Sequence, residues 1–279
     1  MVRIRRRAAT AGLCCCILLA LAGCRIDPLG FFVTTDYSKR FKERDNFRFL
    51  GEAELKPSFS APYAFIVLSD THIERGNAHG LERIKDAAAA AGAAFVVVTG
   101  DITQKGRRRD LEKFLEIAES LRTLSIPLYP VIGNHDIYSG GWSHWRDLIG
   151  SATYAVESPD TTLIVLDSAN ANFGRDQLNW LEDRLGRAGK IAFVFTHANL
   201  FTETLGDREV VTDTRERARM LAMLQGRCGA MFSGHAHRRI IREAGGVQYI
   251  TLESFLDHST YCLGRVDANG NFSWEFRKL

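Results

Sequence analysis

The stretch that decides the fold is VIGNHDIY (131–138), an apolar run that ends in Asn134, His135 and Asp136 before the chain becomes apolar again. One turn or one helix cap does not require three polar side chains. Here an amide, an imidazole and a carboxylate stand side by side at the end of a buried strand. Other apolar runs of the chain also end in Asp or His residues. We therefore interpret VIGNHDIY as one strand end among several that together could build a site.

Six short apolar runs are typical of strands that are buried on both faces of a sheet. They are YAFIVLS (63–69), FVVVTG (95–100), LYPVIG (128–133), TTLIVLD (161–167), IAFVFT (191–196) and GAMFSG (229–234). Helical patterns lie between these runs. The clearest are LERIKDAAAAAG (81–92), DLEKFLEIAESLRTL (110–124), RDQLNWLEDRLGRAG (175–189) and TDTRERARMLAMLQG (212–226). The alternation of strands and helices predicts an α/β fold.

The pattern changes after Arg238, where only strand signals follow. RRIIREAGGVQYITLES (238–254) and YCLGRVDANGNFSWEFR (261–277) each contain a turn signal, GG in the first and DANGN in the second. We predict that two C-terminal hairpins close a layered α/β sandwich that contains a mixed sheet. Residues 24–60 show no clean period and are interpreted as a tether and lead-in, which leaves residues 61–279 as the folded domain.

The N-terminal residues 1–23 have the composition of a secretory signal. MVRIRRR (1–7) carries four arginines and no acidic residue, and the small and apolar run AATAGLCCCILLALAG (8–23) follows it. The run is short for a membrane span, which needs ~20 apolar residues, although an N-terminal anchor helix is an alternative. LAGC (21–24) resembles the bacterial lipobox, and this resemblance implies a mature chain that begins at a lipidated Cys24. The protein would then be anchored in the cell envelope outside the cytoplasm, and on the outer membrane where two membranes are present.

Removal of the signal would change both the charge and the cysteine content of the chain. The 279 residues have a formal net charge of +3, and the loss of four arginines changes it to −1. The basic balance therefore belongs to the signal, and we do not predict specific nucleic-acid binding. Beyond Cys24 only Cys228 and Cys262 remain. They could pair in an oxidising compartment, although two separate buried thiols are favoured because spacing alone does not indicate proximity.

Five of the predicted strands are followed directly by side chains that bind metals in proteins. These are Asp70 and His72, then Asp101, then Asn134, His135 and Asp136, then His197, and finally His235 and His237. They can converge because sites in open α/β sheets form at the carboxyl ends of strands. Carboxylate and amide oxygens together with imidazole nitrogens suit Zn, Mn or Fe rather than Ca or Mg. Without His135 and Asp136 seven side chains remain, which is too many for one tetrahedral ion and suits two ions that share a carboxylate.

The order of the motifs DTH (70–72), GD (100–101), GNHD (133–136), TH (196–197) and GHAH (234–237) resembles that of the calcineurin-like metallophosphoesterase family. The resemblance covers about residues 63–255 and implies a layered α/β/β/α sandwich of mixed sheets. It also implies two divalent or mixed-valence ions (Mn, Fe or Zn). One ion would be held by Asp70, His72, Asp101 and His237, and the other by Asp101, Asn134, His197 and His235. Purple acid phosphatases of this family have a metal-binding tyrosine where this chain has Gln104, so we expect no purple ferric centre.

The resemblance further implies hydrolysis of phosphate esters by in-line attack of a hydroxide that bridges the two metals. His135 would donate a proton to the leaving group, and Asp136 would orient His135. The neutral ligand Asn134 would leave the site a net positive charge that attracts phosphate. Small phosphate esters or nucleotides are the expected substrates, with a phosphodiesterase slightly favoured over a phosphomonoesterase or nucleotidase. A non-enzymatic, metal-binding lipoprotein of the cell envelope is the alternative from another functional class.

For the remaining candidates a structural role competes with contact to substrate. The histidines outside the set are His79, His144 and His258, of which the last could approach the substrate from SFLDHS (254–259). The basic run KGRRRD (105–110) is interpreted as a solvated helix end, although it could contact an anionic substrate. The loop after His197 could line the substrate pocket through Phe201 and Arg208.

Overall fold

The six predicted strands all form, and they belong to two mixed sheets, as the family resemblance implies. The structure is a computed structural model that describes residues 37–201 and 210–279. The predicted signal peptide (1–23), the predicted lipidation site Cys24 and the loop residue Arg208 lie outside the described residues. In the described part the strands are β1 (Tyr63–Leu68), β2 (Ala93–Thr99), β3 (Leu128–Val131), β4 (Tyr154–Glu157), β5 (Thr161–Val165), β6 (Ile191–Phe195), β7 (Ala230–Ser233), β8 (Ile240–Ala244), β9 (Val247–Thr251), β10 (Thr260–Val266) and β11 (Phe272–Lys278).

Both sheets are mixed, with three or more parallel strands and at least one antiparallel edge. The first sheet has the order β11-β10-β1-β2-β3, in which β1, β2 and β3 are parallel and β10 and β11 form an antiparallel hairpin beside β1. The second sheet has the order β4-β5-β6-β7-β9-β8, with β5, β6, β7 and β9 parallel and with β4 and β8 antiparallel to their neighbours. Both predicted C-terminal hairpins are therefore confirmed, and each closes a different sheet.

The two sheets pack face to face because alternate residues of each strand point into the space between them. On β1, Phe65 and Val67 face this space, whereas their neighbours Ile66 and Leu68 face the helices on the outer side. Aromatic rings fill much of the space, and Phe65 stacks on Phe95 of β2 with ring centroids 4.9 Å apart. The apolar runs are continuous in the sequence because both faces of each strand are covered.

Helices cover the outer face of each sheet. The helices of the described residues are α1 (Tyr37–Lys42), α2 (Glu52–Leu55), α3 (Ile84–Ala91), α4 (Arg108–Arg122), α5 (Gly141–Leu148), α6 (Arg175–Arg187), α7 (Thr214–Leu224) and α8 (Phe255–His258). Side chains from α3, α4 and α5 pack on the first sheet, and those from α6 and α7 pack on the second. The layers therefore follow the implied order α/β/β/α. None of the helices described here is long and apolar enough to cross a membrane.

Short elements, of which β4 and α5 are examples, carry too little periodic signal to be predicted from the sequence. Strand β4 has four residues, and α5 has eight residues and begins at Gly141. Such short elements are stabilised by their tertiary contacts rather than by their own propensity. Trp142 and Trp145 of α5, for example, are buried against the first sheet and α4.

The lead-in also forms contacts that its composition does not indicate. Residues 37–60, predicted as the end of a tether and lead-in, lie against the sheets and helices of the domain. Arg40 on α1 and Leu50 are buried, and the ring of Phe47 packs edge-to-face on Tyr154 of β4 with centroids 6.2 Å apart. The compact unit of the described chain therefore begins before residue 61.

The cysteines of the described residues are two separate buried thiols. Cys228 lies between the second sheet and its helices, whereas Cys262 lies between the two sheets. Both are free. The favoured prediction of unpaired thiols is confirmed.

Candidate metal centre

Five strand ends meet at one edge of the two sheets, namely those of β1, β2 and β3 in the first and of β6 and β7 in the second. The seven predicted ligands follow these ends by two to four residues. Six of them form two groups that could each hold a metal ion. The first group is Asp70, His72, Asp101 and His237, and the second is Asp101, His197 and His235. In each group the candidate ligand atoms all lie within 4.8 Å of one another, and Asp101 belongs to both.

Imidazole nitrogens and side-chain oxygens face one another in these groups. In the first group, His237 Nε2 lies 3.2 Å from Asp70 Oδ1. In the second group, His197 Nε2 lies 3.3 Å from Asp101 Oδ2 and 3.0 Å from Asn134 Oδ1. Asn134, the seventh predicted ligand, therefore adds its oxygen to the second group.

The buried carboxylates favour positive charge between them. Asp70 is 0% exposed and Asp101 is 1% exposed. Burial disfavours the charge on Asp101, but the nearby imidazoles of His197 and His135 hold the pKa of this carboxyl well below its usual range. Burial likewise lowers the pKa of His197, but the carboxylates of Asp101 and Asp70 and the carbonyl of Thr99 together raise it to about 9. Burial and the neighbouring His197 lower the pKa of His235 to about 4. Metal ligands are ionised carboxylates and neutral imidazoles, so Asp101 and His235 already have the binding form, whereas His197 would release a proton when an ion binds.

Three ligand atoms, Asp70 Oδ1 and the Nε2 atoms of His72 and His237, are arranged as a cation would require rather than as hydrogen-bond partners. Asp70 Oδ1 is buried and accepts no well-aligned hydrogen bond, although His237 Nε2 lies 3.2 Å away. His72 Nε2 and His237 Nε2 point at each other across 3.2 Å. A cation between these atoms would satisfy all three at once, so the donor set fits a metal ion.

The backbone at the site is strained in a consistent way. Five predicted ligands have φ angles in the left-handed region, namely Asp70 (55°), His72 (45°), Asp101 (48°), His235 (68°) and His237 (52°). For residues other than glycine this conformation costs about 1–2 kcal/mol each. It persists only where the surrounding structure enforces it, and such positions concentrate at functional sites.

Glycines of the motifs allow the strand ends to approach closely. A Cβ atom on Gly100 would overlap the His197 imidazole, and one on Gly133 would overlap the backbone and carboxylate of Asp101. A Cβ atom on Gly234 would overlap Ser69. The glycine in each of these motifs is therefore explained by the space that a neighbouring strand end occupies.

His135 lies at the rim of the second group with its imidazole directed inward. Its backbone N–H donates a hydrogen bond to Asp101 Oδ1 at 2.8 Å. Its Nδ1 lies 2.9 Å from the carbonyl oxygen of Gln104, to which it donates. Its Nε2 lies 3.9 Å from Asp101 Oδ2. The ring is thus oriented by a backbone carbonyl, and its second nitrogen faces the centre.

Asp136 does not have the position that the sequence suggests. We expected its carboxylate to orient His135, but Asp136 is buried beneath the strand ends, where both its oxygens accept hydrogen bonds from the loop. The donors are the backbone N–H groups of Ile102, Thr103 and Gly133 and the Thr103 hydroxyl, at 2.8 to 3.2 Å. Burial and the nearby Asp101 raise the pKa of Asp136 to about 6. Asp136 therefore joins the loop after β2 to the loop after β3, and Gln104 orients His135.

Replacement of Asp136 with alanine is expected to lower the free energy of unfolding by about 3 kcal/mol, because four buried donors lose their acceptor. Urea unfolding followed by circular dichroism measures this change. Both metal ions should still bind to the folded fraction, with reduced affinity. If the variant kept wild-type stability and lost turnover as a His135 variant does, Asp136 would act on His135 as the sequence suggested.

Asp257 is a neighbour of the centre that the sequence patterns missed. Its Oδ2 lies 3.5 Å from His237 Nδ1. Helix α8 begins after Ser254, whose hydroxyl accepts a hydrogen bond from the Asp257 N–H. This S-x-x-D spacing is a helix-start signal that could have located the helix, although not its contact with His237.

The other candidates take structural or surface positions. His144 Nδ1 donates to the Gly106 carbonyl at 2.9 Å, while His79 is half-buried in a loop and His258 is exposed on α8. In KGRRRD, Lys105 pairs with Glu74 at 3.2 Å and the arginines are exposed at the start of α4, as expected for a solvated helix end. Phe201 packs edge-to-face on Tyr249 with centroids 4.9 Å apart.

Comparison with known proteins gives one family and a set of related folds. The model of the family described as calcineurin-like phosphoesterase matches residues 63–239. Among solved structures, a purple acid phosphatase from yellow lupin has a TM-score of 0.61 at 11% identity, over 80% of this chain and 52% of that one. A dimetal phosphatase from Danio rerio has a TM-score of 0.59 at 15% identity, over 76% and 98%. GAP50 of Plasmodium has a TM-score of 0.59 at 14% identity, over 78% and 85%. At these identities the similarity shows a shared fold, and no curated protein sequence matches the chain.

Proposed function

Because the chain belongs to the calcineurin-like phosphoesterase family, we propose that it hydrolyses phosphate esters at a centre of two metal ions. The observation that carries this proposal is the position of Asp101, whose carboxylate belongs to both groups of candidate ligands. A carboxylate shared by two ions is what a two-metal phosphoesterase needs in order to hold its ions a few ångströms apart.

In the proposed centre both ions share the Asp101 carboxylate. The first ion also has a second carboxylate, and the second ion has a neutral amide in its place. The first ion would be held by Asp70, His72, Asp101 and His237, and the second by Asp101, Asn134, His197 and His235. The chemistry of oxygen and imidazole ligands suits Mn, Fe or Zn. Asn134 contributes an oxygen without a negative charge, which leaves the centre more attractive to a phosphate ester.

The ions, when bound, would act as Lewis acids on phosphate and lower the pKa of water from ~15.7 to about 7. The protein's own part is to hold the ligands, to orient the ester and to supply a proton to the leaving group. His135 is suited to the last task, because Nδ1 donates to the Gln104 carbonyl while Nε2 faces the centre. We propose that His135 acts in its doubly protonated form: it gives the Nε2 proton to the leaving-group oxygen, keeps the Nδ1 proton on the Gln104 carbonyl, and then regains a proton from solvent.

The proposed substrates are small phosphate esters or nucleotides, and a phosphodiester is slightly favoured over a monoester. The alternative within this chemistry is a phosphomonoesterase or nucleotidase. The alternative from another class is a metal-binding envelope protein without catalysis. One related fold, that of Plasmodium GAP50, is described as an anchor in the inner membrane complex, so the fold by itself does not decide between catalysis and anchoring.

A hydrolysis assay tests the proposal. The purified protein is loaded with Mn²⁺, Fe²⁺ or Zn²⁺ and supplied with p-nitrophenyl phosphate, bis(p-nitrophenyl) phosphate and a set of nucleotides. We expect hydrolysis that depends on the metal and stops when a chelator removes it. Hydrolysis of monoesters alone would identify a phosphomonoesterase. If the protein bound two ions and hydrolysed none of the esters, the binding-protein alternative would replace the proposal.

We also propose that Cys24 is lipidated and anchors the protein outside the cytoplasm. The support is the LAGC sequence (21–24) at the end of the predicted signal. Replacement of Cys24 with serine is expected to move the protein from the membrane fraction to the soluble fraction and to abolish labelling by radioactive palmitate. Cys16→Ser, which changes a cysteine inside the apolar run, is the matched control and should leave both unchanged. Equal labelling of the Cys24 variant and the wild type would contradict the lipid anchor.

A further inference from the structure

Arg40 lies in the lead-in and is 0% exposed, an unusual position for an arginine outside an active site. Its guanidinium reaches Asp167, which follows β5 and is 127 residues away in the sequence. Arg40 Nε donates to Asp167 Oδ2 at 2.6 Å, and Nη2 donates to Asp167 Oδ1 at 3.1 Å. Nη2 also donates to Asn170 Oδ1 at 2.5 Å. The fork of the guanidinium thus fixes the loop of residues 167–170 from two sides.

A buried ion pair of this kind is better explained by specificity than by stability. The desolvation of two charges offsets much of their attraction, so such a pair often contributes little net stability compared with apolar side chains of similar volume. In several proteins buried polar and ionic groups instead fix one geometry for the segments that they join. The segment that Arg40 fixes is therefore the place to look for its role.

The loop that Arg40 fixes carries Ser168, whose hydroxyl holds the backbone at a predicted metal ligand. Ser168 Oγ accepts hydrogen bonds from the N–H groups of His197 at 3.1 Å and Ala198 at 2.8 Å. It also lies 2.7 Å from Thr196 Oγ1. Ser168 is buried, so water does not compete for these contacts.

The neighbours of Ser168 in the chain are fixed as well. Asp167 Oδ1 accepts a hydrogen bond from the Ala169 N–H at 3.0 Å. The side-chain amide of Gln177 on α6 bonds both backbone groups of Asp167, through Oε1 to the N–H at 2.9 Å and through Nε2 to the carbonyl at 2.8 Å. The path from Arg40 through Asp167 and Ser168 to His197 therefore consists of short, buried contacts without a gap.

We propose that Arg40 is a positioning residue for the second metal ion, because it fixes the loop through which Ser168 holds His197. This inference rests on the proposed function, since it takes His197 to be a metal ligand. The Nε2 atom of His197 reaches Asp101 and Asn134 only if the backbone after β6 keeps its path. The lead-in is then part of the catalytic framework, and a chain that began at residue 61 would hold its second ion poorly.

The test compares Arg40→Met, Ser168→Ala and the double variant with Lys42→Met, an exposed position on the same helix that serves as the matched control. Mn²⁺ binding is measured by calorimetry and metal analysis, and hydrogen exchange is measured at the His197 and Ala198 amides. We expect each single variant to lower the affinity for one of the two ions by about tenfold to a hundredfold. Hydrogen exchange should become faster at both amides. The affinity for the other ion should equal that of the wild type. Lys42→Met should have wild-type affinity for both ions and wild-type exchange rates. Because the two residues act in one path, the double variant should lose little more than Ser168→Ala alone.

Arg40→Lys covers the case in which Arg40→Met does not fold, since it keeps the charge but not the two-pronged contact. Arg40→Lys should lower the affinity for the same ion, but by a smaller factor than Arg40→Met. Wild-type affinity for both ions in folded Arg40 variants, equal loss of both ions, or additive effects in the double variant would each overturn the inference. If the wild type hydrolysed no ester, the proposed function would fail, but the exchange rates at His197 and Ala198 would still test the link to Arg40.

Discussion

Replacement of Asp101 with alanine is expected to lower kcat/KM for every ester by at least about 10⁴-fold and to remove both metal ions. The physical reason is that Asp101 belongs to both groups of ligands. One of its oxygens also accepts the His135 N–H at 2.8 Å, and the other lies 3.3 Å from His197 Nε2. Its loss would therefore leave each ion without a ligand and would release the loop that carries His135. Metal analysis of the purified protein and steady-state kinetics with added metal measure the two effects.

Two further variants make this result specific. Asp101→Asn keeps the shape of the side chain but not its charge, and it should also lose at least one ion. Asp110→Ala removes another fully buried carboxylate, which accepts a hydrogen bond from the Gly76 N–H at 2.9 Å and lies outside both groups. It should keep two ions, although it is less stable. Retention of two ions and of more than a tenth of the activity by Asp101→Ala would show that the shared carboxylate is not the centre of the site.

The strand ends could be predicted from the sequence because the signals that define them are local. Each apolar run indicates where a strand lies. The polar residue that follows indicates which side chain lies at the edge of the sheet. The motif glycines belong to the same local pattern, since Gly133 is needed where Asp101 approaches the backbone. The seven ligand candidates lie together for this reason. The alternation of strands and helices predicts the α/β class, whereas the α/β/β/α order of the layers was implied by the family resemblance.

The roles that depend on the direction of a side chain could not be predicted in the same way. Asp136 follows His135 in the sequence, but the turn after β3 directs its carboxylate down to the backbone of Thr103 and away from the imidazole. The contact of Asp257 with His237 and that of Arg40 with Asp167 join residues that are far apart in the chain. The periodicity of the sequence does not predict such contacts, because they form only when the layers pack together. The residues that support the ligands were therefore harder to predict than the ligands themselves.

The second large effect is expected at His135, whose replacement with alanine should lower kcat by about 10²–10⁴-fold while both metal ions remain bound. His135 belongs to neither group of ligands, and its Nε2 stands 3.9 Å from the nearer oxygen of Asp101. Loss of the imidazole would remove a proton donor without removing a ligand. The size of the effect should depend on the leaving group, because a p-nitrophenolate leaves without a proton and an alkoxide does not. We therefore expect a small loss of kcat with p-nitrophenyl esters and a large loss with alkyl esters.

His144→Ala is the matched control for this experiment. The His144 imidazole also donates from Nδ1 to a backbone carbonyl, that of Gly106, but it lies on α5 and not at the strand ends. Its replacement should leave kcat unchanged for both kinds of ester. An equal loss of kcat by His135→Ala for p-nitrophenyl and alkyl esters would argue that His135 stabilises the phosphate in the transition state instead of protonating the leaving group. A fall in metal content would instead make His135 a ligand. The dependence on the leaving group is thus the measurement that separates proton transfer from the other tasks that an imidazole at this rim could perform.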